Sequence, residues 1–270
     1  MTRAELSAEI ASKLRQHKDE LSAYWRQSAP VRHFYLDGLL PEAWAKECFA
    51  ALPDPNTLML RDSIKEHKHV GIDVDKYEQI VGDMLFAFHD AAVMKVVSEI
   101  TGVKDLLADD SLYGSGISMM LQDDFLLPHL DNSHDGDGNL YRVLNALYYI
   151  TPDWPENNGG NLELWDTPMK ERKEIHARFN RLVMMETNTH SIHSVNKVLA
   201  PGPRACVSNY YFSATPVEDH SYVHKTTFYA RPEDGIVKKI RLSAEGKAKN
   251  FLSKFIDNKA TGTRHRRKKD

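Results

Sequence analysis

The chain has 270 residues, 41% of them hydrophobic and 27% charged, with a net charge of −3. That is an ordinary globular composition, long enough for a large core that needs no disulfide or structural metal, and it argues against a strongly basic nucleic-acid binder. The two cysteines, Cys48 and Cys206, are far apart, which excludes a disulfide framework or zinc ribbon and fits a reducing compartment. The N-terminus, MTRAELSAEI, has no apolar signal core, and no apolar run reaches the length of a membrane span. The expectation is a cytoplasmic protein.

From Arg3 to about Arg26, apolar residues recur near helical spacing, which predicts a helix lying against the body of the fold. VRHFYL (31–36) predicts a short strand, with His33 as a packed residue. Pro41 opens a second helix, PEAWAKECFAAL. His67 and His69 have a metal-site spacing, but Lys65 and Lys68 beside them favour a cationic surface. Tyr77 to about Thr101 reads as a third helix with an apolar face. After Ser115 short β-rich runs follow one another, broken by Gly, Pro, Asn and Asp, as in a sandwich or barrel. The overall class is therefore α+β, with helices supporting one curved sheet. A last helix is expected from Leu242 to about Asp257, capped by Ser243. A basic tail ends in RHRRKKD.

Pro128-His129-Leu130-Asp131-Asn132 carries the chemistry. Residues two apart on a strand point to one side, so His129 and Asp131 can take adjacent positions on one metal ion. A third ligand from a distant strand would complete a 2-His-1-carboxylate facial triad, which leaves positions open for a co-substrate and O2. Downstream come an Asp135-Gly136-Asp137-Gly138 turn, the strand Arg142 to Ile150, Gly159-Gly160 turning into Glu163-Leu164-Trp165, and Thr189 to Val195. His190 and His193 are three apart and would face opposite sides of one strand. His193, followed by Val195 and Val198 and eleven positions before Arg204, is the assigned ligand. A turn through Ala200-Pro201-Gly202-Pro203 would bring Arg204 onto a neighbouring strand, where its planar guanidinium can clamp a carboxylate. Trp154 and Trp165 are read as packing residues. His134 lies off the ligand face, and His220 and His224 follow the core as weak candidates for substrate contact.

Residues 116–213 resemble the double-stranded β-helix core of the Fe(II)/2-oxoglutarate-dependent oxygenases. The series HLDN–DGDG–LYYITPDW–NNGGNLELW–HSV–R is similar to the prolyl hydroxylase branch, including the oxygen-sensing enzymes. The resemblance implies a jelly-roll, cupin-like core at 113–232. The N-terminal support region spans 1–112, the C-terminal helix and basic tail span 233–270, and the whole forms one structural domain. It implies Fe(II) held by His129, Asp131 and His193, with 2-oxoglutarate as co-substrate, O2 as oxidant and ascorbate as a stimulant. Arg204 would pair with the distal carboxylate of 2-oxoglutarate and Tyr149 would hydrogen-bond the same group. Asn145, on the strand face of Tyr149, would line that pocket. Ser208, four residues after Arg204, would contact the co-substrate or a water. Met119 and Met120 stand in the strand where a tyrosine contact is familiar, and retention of Asp131 favours hydroxylation over halogenation. The expected substrate is a prolyl residue of a protein or peptide, or a small molecule such as an amino acid, sugar or natural-product intermediate. A reading of another class is a metal-binding module without turnover whose basic tail recruits a partner. Nucleic acid is disfavoured as substrate, and no membrane partner is expected.

Overall fold

The computed structural model describes residues 1–71, 73–237, 239–240 and 242. Two helices lead in, α1 (Arg3–Gln16) and α2 (Lys18–Gln27), and the strand β1 (His33–Asp37) follows. Thr2 and Glu5 cap α1 reciprocally, the Glu5 carboxylate accepting from the Thr2 amide at 2.8 Å and the Thr2 hydroxyl from the Glu5 amide at 3.3 Å. The predicted single helix is thus two, broken at His17. The break lets both pieces lie on α5 (Ala91–Thr101). Between them come α3 (Glu42–Ala50), the hairpin of β2 (Met59–Asp62) and β3 (Glu66–Gly71), and α4 (Gln79–Ala87). The predicted helix from Tyr77 to Thr101 is also divided. Asp90 accepts from the Ala92 amide at 2.8 Å and starts α5 afresh, and Gly102, at φ 77°, ends it.

The remaining strands are β4 (Leu107–Ala108), β5 (Gly116–Met120), β6 (Phe125–Leu130), β7 (Tyr141–Tyr149), β8 (Leu162–Trp165), β9 (Arg172–Ile175), β10 (Arg181–Glu186), β11 (His193–Val195), β12 (Arg204–Ser213) and β13 (Thr227–Phe228). All pairs are antiparallel. The hydrogen-bonded order is β1-β10-β7-β12-β5-β3-β6-β11-β8-β9, with β2 on β3, β4 on β12 and β13 on β6. This is a curled antiparallel sheet, the double-stranded β-helix expected from the sequence. β3 pairs with β5 through its second half and with β6 through its first, so it joins the two halves of the curl.

Alternation along the strands divides two cores. Leu182 and Met184, Ala205 and Val207, and Tyr148 face the helices, packing with Leu6, Ile10, Leu14, Trp25, Val93 and Val97. Val183 and Met185, Cys206 and Tyr149 face into the curl with Leu162, Leu164 and Val195. Both cysteines are free and buried, and burial pushes each thiol up to about 11, so neither is a poised nucleophile. No described helix is long and apolar enough to cross a membrane. Ile236 and Val237 are already helical, upstream of the expected start at Leu242. Ser243, Leu252, Phe255, Ile256 and the basic tail lie outside the described residues.

His33 is fully buried and packed, as expected. Its Nδ1–H donates to the Val31 carbonyl at 2.7 Å, and its Nε2 faces the Tyr24 hydroxyl, which itself accepts from Lys173 at 2.7 Å. Burial lowers this imidazole to about 4. Lys173 adds to the effect, and the Val31 bond only partly offsets it. The unfolded chain therefore binds a proton at His33 that the folded chain rejects, and the associated stability is complete above the unfolded value and lost as pH falls toward 4. His33→Asn should flatten the loss of urea stability between pH 7 and pH 4.5, by up to about 3 kcal/mol. An unchanged slope would remove His33 as its source.

Candidate active site

His129, the fifth residue of β6, stands directly across from His193, the first residue of β11. Their rings lie 4.2 Å apart. Each donates its Nδ1–H to the carbonyl two residues before it, His129 to Leu127 at 2.9 Å and His193 to Ser191 at 3.0 Å. The same local bond fixes both tautomers and leaves both Nε2 atoms free. Asp131, just past the end of β6, sets one oxygen 3.6 Å from Nε2 of His129 and the other 3.8 Å from Nε2 of His193. Among the described residues these three form the one group whose ligand atoms all lie within 4.8 Å of one another.

Burial opposes ionisation of Asp131. The His129 imidazole, the Arg142 guanidinium and His193 nevertheless hold its carboxyl well below the usual range. Burial and the neighbouring His129 lower His193 to about 4, which keeps it a neutral nitrogen donor. Two imidazoles and one carboxylate converge, and Asp131 Oδ2 is buried with no hydrogen-bond partner. This donor set suits a divalent first-row metal such as iron.

Among the described residues no other histidine joins this group. His190 is exposed, in the turn before β11. His67 contacts Asp124, which also accepts from the Leu121 amide at 2.8 Å. His134 packs on Tyr141 with ring centroids 4.4 Å apart. His220 pairs with Glu218, and His224 stacks on Tyr222.

Deeper in the curl, Arg204 begins β12 opposite Met120 and is 3% exposed. Its Nε donates to the Gly160 carbonyl at 2.8 Å, and its guanidinium carbon lies 4.6 Å from the centre of the Tyr149 ring. The Tyr149 hydroxyl is buried without a hydrogen-bond partner, and burial raises its pKa despite Arg204. A buried cation beside an unpartnered hydroxyl is an arrangement that could hold an anion. Asn145 faces the same interior, its Oδ1 buried and unpartnered. Ser208 pairs across β5 with Gly116, and its hydroxyl reaches that carbonyl at 3.4 Å. Gly160 makes the close approach of Arg204 possible. Its φ is +70°, and a Cβ there would meet Arg204 Cγ at 2.9 Å.

Arg142 belongs to the site and was missed from the sequence. It is 4% exposed, lies 3.4 Å from Asp131 Oδ2, and rests 3.9 Å over the Tyr210 ring. Simple alternation puts Arg142 on the opposite face from Tyr149. The β7–β12 register slips between Tyr211, opposite Leu144, and Phe212, opposite Arg142, and this bulge turns Arg142 inward.

The curled antiparallel sheet thus carries a group of two histidines and one carboxylate that could hold a metal ion. Residues 115–212 match the model of the 2OG-Fe(II) oxygenase superfamily, whose members use Fe(II), 2-oxoglutarate and O2. Among solved structures, the chain is similar to a prolyl hydroxylase from Trichoplax adhaerens in complex with a hypoxia-inducible-factor peptide. The identity is 16% over 74% of this chain and 92% of that one, with TM-score 0.55. It is similar to a Pseudomonas putida prolyl-4-hydroxylase at 18% identity over 72% and 98% of the two chains, TM-score 0.52. It is also similar to the carbocyclase SnoK of nogalamycin biosynthesis at 14% identity over 83% and 91%, TM-score 0.55. At these identities the likeness is one of fold. No curated protein matches significantly.

Gly160→Ala should destabilise the protein more than Gly38→Ala, by at least about 1 kcal/mol. Both residues have positive φ, which alone costs about 1–2 kcal/mol, but only Gly160 has atoms in the way. Denaturant midpoints measure the difference, and equal costs would mean Arg204 is not held against Gly160.

Proposed function

We propose that the protein is an Fe(II)- and 2-oxoglutarate-dependent dioxygenase that hydroxylates an unactivated C–H bond. The observation that carries this reading is the convergence of His129, Asp131 and His193 within 4.8 Å, in a superfamily whose members use these cofactors. Those three side chains would hold the iron, which when bound supplies the activation of O2. Arg204 and Tyr149 would hold the distal carboxylate of 2-oxoglutarate. The guanidinium offers two parallel donors and the hydroxyl a third, in a pocket where charge–charge attraction is strong. Asn145 and Ser208 line the same interior and are read as lesser contacts. Arg142 holds Asp131 ionised and oriented, so the carboxylate stays a metal ligand and takes no proton.

A prolyl residue of a protein or peptide is the first candidate substrate. The sequence resemblance and two of the fold neighbours, whose names say prolyl hydroxylase, support it. A small molecule is the second. The likeness to SnoK, named for nogalamycin biosynthesis, extends over more of this chain than either of those two.

Anaerobic addition of Fe(II) and 2-oxoglutarate should produce a visible metal-to-ligand charge-transfer band. The band should vanish in Asp131→Ala and His193→Ala and survive in His190→Ala. Arg204→Ala should weaken 2-oxoglutarate binding roughly 10- to 100-fold, the loss of a charged hydrogen-bonded pair, while Mn(II) binding persists. A wild-type protein that is folded and gives no band would reject the iron site and favour the metal-binding module without turnover.

A further inference from the structure

β13 is two residues long, yet it occupies a decisive position. β3 pairs with β6 at Phe125 and Leu126, and β13 takes up the same strand further along, Thr227 opposite Leu130 and Phe228 opposite His129. His129 is therefore flanked by His193 on one side and Phe228 on the other. The Phe228 ring lies stacked on the imidazole at 5.2 Å and 21°. The Tyr229 amide donates to the Pro128 carbonyl at 2.7 Å and closes this short ladder.

Two paired residues cannot hold a segment in place by themselves. The segment is anchored three residues on. Arg231 sets its guanidinium nitrogen 2.6 Å from Oε2 of Glu163, a carboxylate on β8 with no solvent exposure. The same guanidinium nitrogen reaches the Val195 carbonyl of β11 at 3.3 Å. The Ser194 hydroxyl donates to that Glu163 oxygen at 2.6 Å, and the Trp165 indole donates to Ser194 at 2.7 Å. Arg172 meets the other oxygen at 3.0 Å, but from a half-exposed position on the edge strand β9. Glu163 is thus a buried anion shared by β8, β11 and the segment behind β13. Ser194, its neutral partner, is the residue after His193.

We propose that Arg231 is a positioning residue. It latches the segment behind β13 onto Glu163, so that Phe228 stays packed on His129 and closes one side of the metal site. The latch gives the fully buried Glu163 a cationic partner from outside the matched residues. It rests on the reading of His129 as a metal ligand only for its consequence; the latch itself is a feature of the metal-free fold.

Hydrogen exchange on the metal-free protein, with Mn(II) titration as the second readout, tests it. In Arg231→Gln, the Tyr229 amide should exchange at least tenfold faster, with amides of β5 and β7 unchanged, and the Mn(II) dissociation constant should rise about tenfold. Arg231→Lys, which keeps the charge, should recover most of both. Phe228→Ala leaves the latch intact and should reproduce the loss of Mn(II) affinity, which separates loss of the ring contact from general damage should Arg231→Gln fold poorly. Unaltered Tyr229 exchange in Arg231→Gln, or wild-type Mn(II) affinity in Phe228→Ala, would overturn the proposal. Absence of Mn(II) binding in the wild type would sink the metal reading instead, and the exchange comparison would still decide the latch.

Discussion

The site depends on one cross-strand pair, His193 opposite His129. A strand slip of one residue turns every side chain to the other face, so this register decides whether two imidazoles share a metal position at all. The pairing is short, since β11 has three residues and its ladder with β6 is irregular between His193 and Val195. It is secured from its far side, where β8 pairs with all three residues of β11, Leu164 with His193, Glu163 with Ser194 and Leu162 with Val195. The identical Nδ1 bonds to the carbonyls two residues back then convert correct register into correct ring orientation.

Two buried carboxylates of this interior each have cationic partners. Asp131 has Arg142, and Glu163 has Arg231, Arg172 and Ser194. Such pairs add little net stability against apolar replacements, because desolvation offsets attraction, but removal of one member leaves a buried charge exposed to the full penalty. Arg204 is different in kind. Its single protein hydrogen bond uses Nε, which leaves the outer edge of the guanidinium directed elsewhere than at a protein carboxylate. Under the proposed function, that edge would meet the distal carboxylate of 2-oxoglutarate.

The sequence made the centre legible because the chemistry there is local. His129 and Asp131 are two apart, Gly159 and Gly160 announce a backbone that side chains would block, and Arg204 follows a turn of Ala, Pro, Gly and Pro. His193 over His190 was legible as well, although the reason differs: His190 is exposed in a turn and does not share the strand. What was illegible depended on broken periodicity. The helix from Tyr77 to Thr101 hid the cap at Asp90, the helix from Arg3 hid the break at His17, and β13 is too short to carry any pattern. Glu163 and Arg231 are far apart in sequence, and nothing in either stretch announces the other.

Arg142 shows why the bulge in β7 matters. Every strand of the curl serves two cores at once, so Tyr148 packs toward the helices while its neighbour Tyr149 faces the site. Strict alternation would split Val143 and Leu144 between the two faces and send Arg142 toward the helical core. The slipped register at Tyr211 and Phe212 avoids both. Val143 and Leu144 both pack in the helical core, and Arg142 emerges on the inner face beside Asp131. One unpaired residue in the ladder keeps the apolar burial that stabilises the sheet and delivers the cation that the buried carboxylate requires.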